Sequence, residues 1–279
     1  GIEAMAQVAT ACFRVSPGGE SLGRPRLENL EFPRPIVVPA EGRAIRIYAQ
    51  AEETQADGSR RVRVRIRSSV SQYDVDHFRG ECVWVRRTEK LPRASVERPP
   101  ELAFDPKDGL YGTIFFQGPM FQNVVAYHDI SSKHCIAKVG VPGHSELYAG
   151  LKHSVVLDLP VVRDAFLHAV QACVPEYRIL PISIDSLDVR GFRGGHVFLD
   201  ARERQRNDKE FVYDLDVYDA SGKCVERMRG YRCRILDEYR DEAAIARVRL
   251  LHDMAAQRKN ASAQATSTEL EQGGVDAIV

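Results

Sequence analysis

The chain has 279 residues, of which 44% are hydrophobic and 28% charged, the mixture of a folded globular protein. Its 39 Lys and Arg residues balance its 39 Asp and Glu residues, so no overall charge favours nucleic acid or a membrane surface as partner. No apolar run reaches the roughly 20 residues of a membrane span, and the N-terminus lacks signal-peptide features. The six cysteines include no C-x-x-C pair, which argues against a zinc site or disulfide framework and favours reduced thiols in the cytoplasm.

The first predicted element is a largely apolar helix with one polar stripe. Glu3, Gln7 and Thr10 are spaced i, i+4, i+7, so they share one face of that helix. Strand-like runs follow at 27–38, 43–52, 60–70 and 78–87. In the third run Arg alternates with Val or Ile, which predicts a half-buried antiparallel strand with a solvated outer face.

The same series of elements then recurs. Asp164, His168 and Gln171 repeat the polar spacing on a second apolar helix. Strand-like runs lie before it at 124–130 and 134–139, and after it at 182–189, 196–203, 211–218 and 224–235. The phrase F-R-G at 78–80 in the first set matches M-R-G at 228–230 in the second.

A buried helix wrapped by a curved antiparallel sheet, made twice, predicts an α+β fold of the double-hotdog type, with the two units joined edge to edge. A loop and two strands precede the second helix, whereas only two residues precede Glu3. We therefore expect the first unit to be incomplete and the chain to be a fragment of a longer polypeptide. The predicted divisions are a first hotdog at 1–90, a linker at 91–108, a second hotdog at 109–236, a C-terminal helix at 237–257 and a disordered linker at 258–279.

Four motifs carry a family resemblance over about residues 1–236. E-A-M-A-Q at 3–7 is similar to the helix motif of bacterial β-hydroxyacyl carrier-protein dehydratases. D-A-F-L-H at 164–168 resembles the D-A-x-x-(Q/H) motif in the second hotdog of type I polyketide synthase dehydratase domains. Y-G at 111–112 with G-P-M-F-Q at 118–122 resembles their Y-G-P-x-F-Q phrase, split by an insertion, and L-x-F-x-R-P-x-V-V-P at 30–39 resembles a first-hotdog strand. The whole is most similar to the iterative synthases of enediynes and polyunsaturated fatty acids.

The resemblance implies elimination of water from a β-hydroxyacyl thioester, in an antibiotic-type biosynthetic megasynthase. The substrate would be carried on the 4′-phosphopantetheine of an acyl carrier protein, with no metal or other cofactor in this domain. Partners would be the carrier protein, the other domains of the megasynthase and a second copy of the parent protein, with no nucleic acid and no membrane.

The resemblance also implies roles for individual residues. Asp164 would be the acid for the departing hydroxyl, with His168 as its hydrogen-bond partner. The family's catalytic histidine lies in H-x-x-x-G-x-x-x-x-P ahead of the first helix, upstream of Gly1, so we expect this fragment alone to be inactive. The residues expected to line the substrate tunnel are Tyr111, Gly118, Pro119, Phe121 and Gln171.

Several alternatives stay open from the residues themselves. Asp164 also fits an acid interacting with the dipole of a helix that Pro160 opens. Glu3, Gln7 and His153 form a second candidate site, or Glu3 and Gln7 are a satisfied polar pair in the core. A non-catalytic product template and a hotdog thioesterase, whose helix acid activates water, compete with the dehydratase.

Overall fold

The computed structural model describes residues 1–15, 23–85, 91–95, 97–142, 155–158, 160–191 and 194–273. Four helices are α1 (Ile2–Val15), α2 (Pro106–Gly109), α3 (Pro160–Ala169) and α4 (Glu242–Gly273). The strands are β1 (Arg26–Glu31), β2 (Ile45–Ala51), β3 (Arg60–Ser68), β4 (Asp76–Trp84), β5 (Val124–Ser131), β6 (His134–Gly140), β7 (Tyr177–Val189), β8 (His196–Arg206), β9 (Glu210–Tyr218) and β10 (Cys224–Glu238). Short 3-10 turns lie at Ser69–Ser71, Pro119–Phe121 and Val170–Cys173.

The ten strands form one sheet in the order β2-β3-β4-β1-β7-β10-β9-β8-β6-β5. At its centre β1 pairs antiparallel with β7, with Leu27 opposite Leu187 and Leu30 opposite Ile184. From this junction the order is β4, β3, β2 on one side and β10, β9, β8 on the other, so the sequence repeat is also a repeat in space. The predicted α+β double hotdog is confirmed.

The two units differ at their outer edges. In the second unit β8 pairs with β6, which pairs with β5. In the first unit β2, the counterpart of β8, pairs with β3 and ends the sheet as far as the described residues go. The first unit thus has four described strands and the second has six.

Two matched glycines show how closely the units repeat. Gly80 on β4 lies against Leu30 of β1, and Gly230 on β10 lies against Asp185 of β7. A Cβ atom at either position would collide with that neighbour, and Gly230 also has a positive φ of 63°. The shared R-G phrase therefore marks the position in each unit where a glycine lies close to a side chain of the neighbouring strand, β1 in the first unit and β7 in the second.

Each long helix of the units is buried against its own sheet. Met5, Ala6 and Ala9 of α1 are fully buried, and so are Val161, Val162, Ala165 and Phe166 of α3. This i, i+3, i+4 spacing gives each helix an apolar face, and α1 contacts β2 and β3 while α3 contacts β5 and β6. The polar stripe of each helix is consequently held at the boundary of the core.

The C-terminal helix departs from the predicted boundaries of 237–257. Strand β10 continues to Glu238, so α4 begins only at Glu242, where Asp241 accepts a hydrogen bond from the amide of Ala244 at 3.0 Å. The helix then runs to Gly273, through most of the segment predicted to be disordered. The composition of that segment lacks core-forming residues, but its Ala, Gln and Glu residues have high intrinsic helix propensity.

Candidate active site

A cavity of about 380 Å³ opens beside α3 in the second unit. Its walls come from the loop before β5, from α3, and from β7 and β10. The lining residues are Ile114, Phe115, Phe116, Gln117, Gly118, Phe121, Asp164, Leu167, His168, Gln171, Ile179, Leu180, Pro181 and Tyr231. Most of these side chains are apolar, with a few polar groups among them, which is the usual make-up of a site for a small organic ligand.

Asp164 and His168 meet in this cavity, as their spacing on one helix face predicted. Nδ1 of His168 lies 3.2 Å from Oδ2 of Asp164. The Asp164 side chain is 38% exposed and the His168 side chain only 7%. The carboxyl group is thus open to a ligand, while the imidazole supports it from the protein interior.

Tyr111 contacts the second ring nitrogen of His168. Its hydroxyl oxygen accepts a hydrogen bond from the amide of Val124 at 3.0 Å and lies 3.0 Å from Nε2 of His168. Burial raises the pKa of Tyr111, so the phenol keeps its proton and can donate a hydrogen bond to Nε2. In that arrangement the ring hydrogen of His168 lies on Nδ1, from which it is donated to Asp164.

Aromatic rings fix the plane of this imidazole. The ring of Phe115 stands edge-on to His168 with centroids 4.9 Å apart, and the Tyr111 ring does so at 5.7 Å. Tyr111 lies behind His168 and does not itself line the cavity. The chain Val124–Tyr111–His168–Asp164 therefore orients one carboxyl oxygen, Oδ2, and leaves the other, Oδ1, for a ligand.

A buried ion pair anchors the start of α3. Nε and a terminal nitrogen of Arg163 each donate to one carboxylate oxygen of Glu226 on β10, both at 2.8 Å. The two side chains are 3% and 1% exposed. Arg163 also donates to the carbonyl of Leu157, which ties the segment before α3 to the same pair. The position of Asp164, the next residue, is therefore set by β10.

Glu3 occupies the corresponding place on α1 but has different surroundings. Its carboxylate accepts hydrogen bonds from the amides of Val156 at 2.6 Å and Leu157 at 3.0 Å, and from Nε2 of Gln7 at 3.0 Å. The residue is 3% exposed and lies outside the lining of the cavity. Glu3 thus joins α1 to the segment before α3, and Gln7 supports its carboxylate from the same helix. His153, the third member of the predicted second site, lies outside the described residues.

The other predicted tunnel residues divide into lining and supporting groups. Gly118, Phe121 and Gln171 line the cavity, whereas Pro119 starts the adjoining 3-10 turn without lining it. Gln171 is used structurally as well, because its Nε2 donates to the carbonyl of Tyr177 at 2.6 Å and its Oε1 accepts from the amide of Ile179 at 3.2 Å. These bonds hold the end of α3 against β7.

Gln117, Pro181 and Tyr231 are cavity residues that the sequence analysis missed. Pro181 lies on β7 and Tyr231 on β10. The alternation of side chains along these two strands was the signal that could have identified them. Gln117 lies in the insertion between Tyr-Gly and Gly-Pro, where no periodic pattern exists.

The described residues lack the features that a metal site or a membrane-spanning helix requires. In them, no three His, Cys, Asp or Glu side chains are arranged to hold a metal ion. No helix in the same ranges combines the length and apolarity needed to cross a bilayer.

Solved dehydratase domains of polyketide synthases share this fold. That of PpsC from Mycobacterium tuberculosis, in complex with C12:1-CoA, is 19% identical, with 84% of each chain covered and a TM-score of 0.61. A trans-AT domain from Brevibacillus brevis is 17% identical over 84% of this chain and 83% of that one, at 0.63. A dehydratase solved to study substrate selection in the borrelidin and fluvirucin synthases is 22% identical over 86% and 81%, at 0.61. At these identities the likeness establishes the fold.

Sequence comparison identifies the family. No curated protein matches the chain. The family model described as "Polyketide synthase dehydratase N-terminal domain" matches residues 88–243, more than half of the chain. Despite the model's name, the match falls on the second unit, and it includes Tyr111, Asp164 and His168. The chain belongs to the polyketide synthase dehydratase family.

Proposed function

We propose that this domain eliminates water from a β-hydroxyacyl thioester presented on the 4′-phosphopantetheine of an acyl carrier protein. The observation that carries the proposal is the Asp164 carboxyl group, held by a buried and oriented His168 at the wall of an apolar cavity. Dehydration requires an acid for the departing hydroxyl and a base for the α-proton, and Asp164 supplies the acid.

In the proposed reaction the proton on Asp164 passes to the β-hydroxyl oxygen, and the bond between Cβ and oxygen breaks to release water. The base removes the α-proton, and the electrons of that C–H bond form the new double bond. The Nδ1–H group of His168 stabilises the carboxylate that remains on Asp164. The apolar wall of Phe115, Phe121 and Leu167 receives the acyl chain.

We assign the base to a histidine upstream of Gly1, in the place that the family motif gives it. The exposure of the Asp164 carboxyl group towards the cavity is compatible with a base that approaches from outside α3.

The finer family assignment is also ours. The motifs at 164–168, at 111–112 with 118–122, and at 30–39 support a dehydratase domain of the iterative enediyne or polyunsaturated-fatty-acid type. It would work with the carrier protein and neighbouring domains of one megasynthase, in a dimer of the parent protein. An iterative synthase returns chains of increasing length to one site, and the open, apolar cavity is compatible with such a series.

The test compares the present chain with one extended upstream through the histidine motif, using β-hydroxyacyl N-acetylcysteamine thioesters of several lengths. We expect dehydration by the extended chain only. Asp164→Asn in that chain should lower kcat by about 100-fold or more without changing the melting temperature. Asp237→Asn, at an exposed acid on β10, is the matched control.

Other outcomes would relocate the acid or the base, or identify a different activity. Near-normal turnover by Asp164→Asn would show that the acid is elsewhere, and robust turnover by the present chain would refute the location of the base. Release of the free acid would identify a thioesterase. Binding of the thioester without any product in the extended chain would identify a product template.

A further inference from the structure

The side chain of Gln117 has an unsatisfied acceptor at the cavity. Its Oε1 atom is buried and has no hydrogen-bond partner among the described residues, although the residue lines the cavity. Folded proteins pair nearly all of their buried polar atoms, because an unpaired one costs the full free energy of its desolvation. An exception at the wall of a binding cavity indicates that a ligand supplies the missing donor.

The loop that carries Gln117 is held in place by the side chains of Gln122 and Asn123. Nε2 of Gln122 donates to the backbone carbonyl of Gln117 at 3.0 Å, closing the loop on itself. Asn123 donates to the carbonyls of Met120 at 3.1 Å and of Val161 on α3 at 3.3 Å. The backbone that carries the Gln117 side chain is thus positioned before any ligand arrives, which reduces the entropy lost on binding.

Gln117 lies towards the opening of the cavity. Its neighbour Phe116 is 75% exposed, and Gly118 on the other side is also exposed. Asp164 must reach the β-hydroxyl group of a substrate. The acyl chain and the thioester therefore lie near α3, and the carrier arm leaves through the opening. The arm carries an O–H donor on its pantoyl unit and the N–H donors of two secondary amides, and the amides lie nearer the thioester.

We propose that Oε1 of Gln117 accepts a hydrogen bond from an amide N–H of the pantetheine arm, and that Gln117 is a binding residue for the arm. This inference rests on the proposed function, since that function supplies the pantetheine. The acceptor belongs to the insertion that separates Tyr-Gly from Gly-Pro, so the insertion gives this chain a contact with the arm that the uninterrupted phrase does not encode.

The experiment measures binding of inert ligands to the full 279-residue chain by isothermal titration calorimetry. The first ligand is a β-hydroxyalkyl thioether of pantetheine, which cannot be dehydrated as a thioester. The second is the same molecule with both amide nitrogens methylated. The third lacks the β-hydroxyl group and keeps both N–H groups.

We expect Gln117→Leu to lower the affinity for the first and third ligands by about tenfold and to leave the affinity for the methylated ligand unchanged. Gln117→Met, which keeps the unbranched shape of the side chain, should behave in the same way. The matched control is Gln205→Leu at an exposed position on β8, which should alter none of the three affinities. Circular dichroism on each variant verifies that the fold is kept.

The inference would be overturned if Gln117→Leu weakened binding of the first and the methylated ligand equally. It would also be overturned if the variant weakened binding only of ligands that carry the β-hydroxyl group. The binding assay needs no turnover. Amide-dependent binding in an extended chain that cannot dehydrate would therefore overturn the proposed function alone. If the extended chain dehydrates its substrate but Gln117→Leu does not weaken binding of the ligands that keep their amide N–H groups, this inference alone would be overturned.

Discussion

Arg163 and Asp164 are consecutive residues of α3 with opposite surroundings. Arg163 is buried in an ion pair with Glu226, whereas the carboxyl group of Asp164 opens into the cavity. A helix turns by about 100° per residue, so one residue can anchor the helix to the sheet while the next faces a ligand. The geometry of the proposed acid thus depends on an ion pair whose two residues do not line the cavity.

The first prediction concerns that ion pair. Arg163→Met leaves the Glu226 carboxylate buried without its partner, and we expect a loss of about 3–5 kcal/mol in the free energy of unfolding. The double variant Arg163→Met/Glu226→Leu removes both charges and should lose less than the single variant. Urea denaturation monitored by circular dichroism measures both values.

The exposed pair Arg178–Asp237, whose side chains are 56% and 54% exposed, provides the control. Arg178→Met should cost less than about 1 kcal/mol, because exposed ion pairs contribute little. If Arg163→Met cost no more than this control, the buried pair would not be what holds α3 in place.

The second prediction concerns the hydrogen bond from Tyr111 to His168. Tyr111→Phe removes the donor to Nε2, so the imidazole should no longer be confined to the form with its hydrogen on Nδ1. Nitrogen NMR of the present chain should show a change in the two ring-nitrogen shifts of His168. In the extended chain kcat should fall by about tenfold with little change in KM.

Tyr127→Phe is the matched control for this substitution. Tyr127 is fully buried and its hydroxyl donates to the carbonyl of Ala169 at 2.8 Å, so it contacts the end of the same helix without reaching the imidazole. This variant should lower the melting temperature but leave the His168 nitrogen shifts as they are. Identical shifts in Tyr111→Phe and the parent chain would contradict the tautomer assignment.

The sequence predicted most of the fold because its elements follow local rules. The strands were placed by alternation and the helices by their apolar faces, within a few residues of β3, β6 and β9. Predicted strand 27–38 ends early, at Glu31, since Pro33 and Pro35 have no N–H group to continue the ladder. The C-terminal boundary was wrong because the Ala-, Ser-, Thr- and Gln-rich composition of 258–279 indicated disorder, although Ala and Gln also favour a helix.

The site was predictable only in part, for a physical reason. Asp164 and His168 are related by helix geometry, so their contact follows from spacing alone. Glu226 reaches Arg163 across 63 residues, and Gln117 faces the cavity because of the path of an irregular loop. Contacts of this kind depend on the packed structure and leave no local pattern in the chain.

The third prediction is a dependence of stability on pH. His134 on β6 lies between two carboxylates, with Nδ1 at 3.3 Å from Asp129 and Nε2 at 3.0 Å from Asp200, and Lys259 of α4 also contacts Asp129 at 2.8 Å. Burial lowers the pKa of His134, but the hydrogen bonds to both carboxylates raise it further, to about 9. The protonated imidazole is therefore favoured by folding.

Because this pKa exceeds the usual value of about 6.5, the stabilisation is complete below pH ~6.5 and is lost as the pH rises towards 9. The shift corresponds to about 3 kcal/mol in the free energy of unfolding. The pKa of Asp129, lowered to about 2, affects stability only in acid, below pH ~4, outside this range. Melting temperatures measured from pH 6 to 9.5 should fall for the parent chain.

His134→Gln should be less stable than the parent at pH 6 and should approach it at pH 9.5, because only the parent loses a charged partner for Asp129 and Asp200 over that range. Subtracting the two curves cancels every other group that titrates there, including the α-amino group of Gly1. Asp200→Asn leaves a single carboxylate on the imidazole, so the fall should begin at a lower pH than in the parent. Parallel curves for the parent and His134→Gln would mean that the imidazole is not charged between these carboxylates.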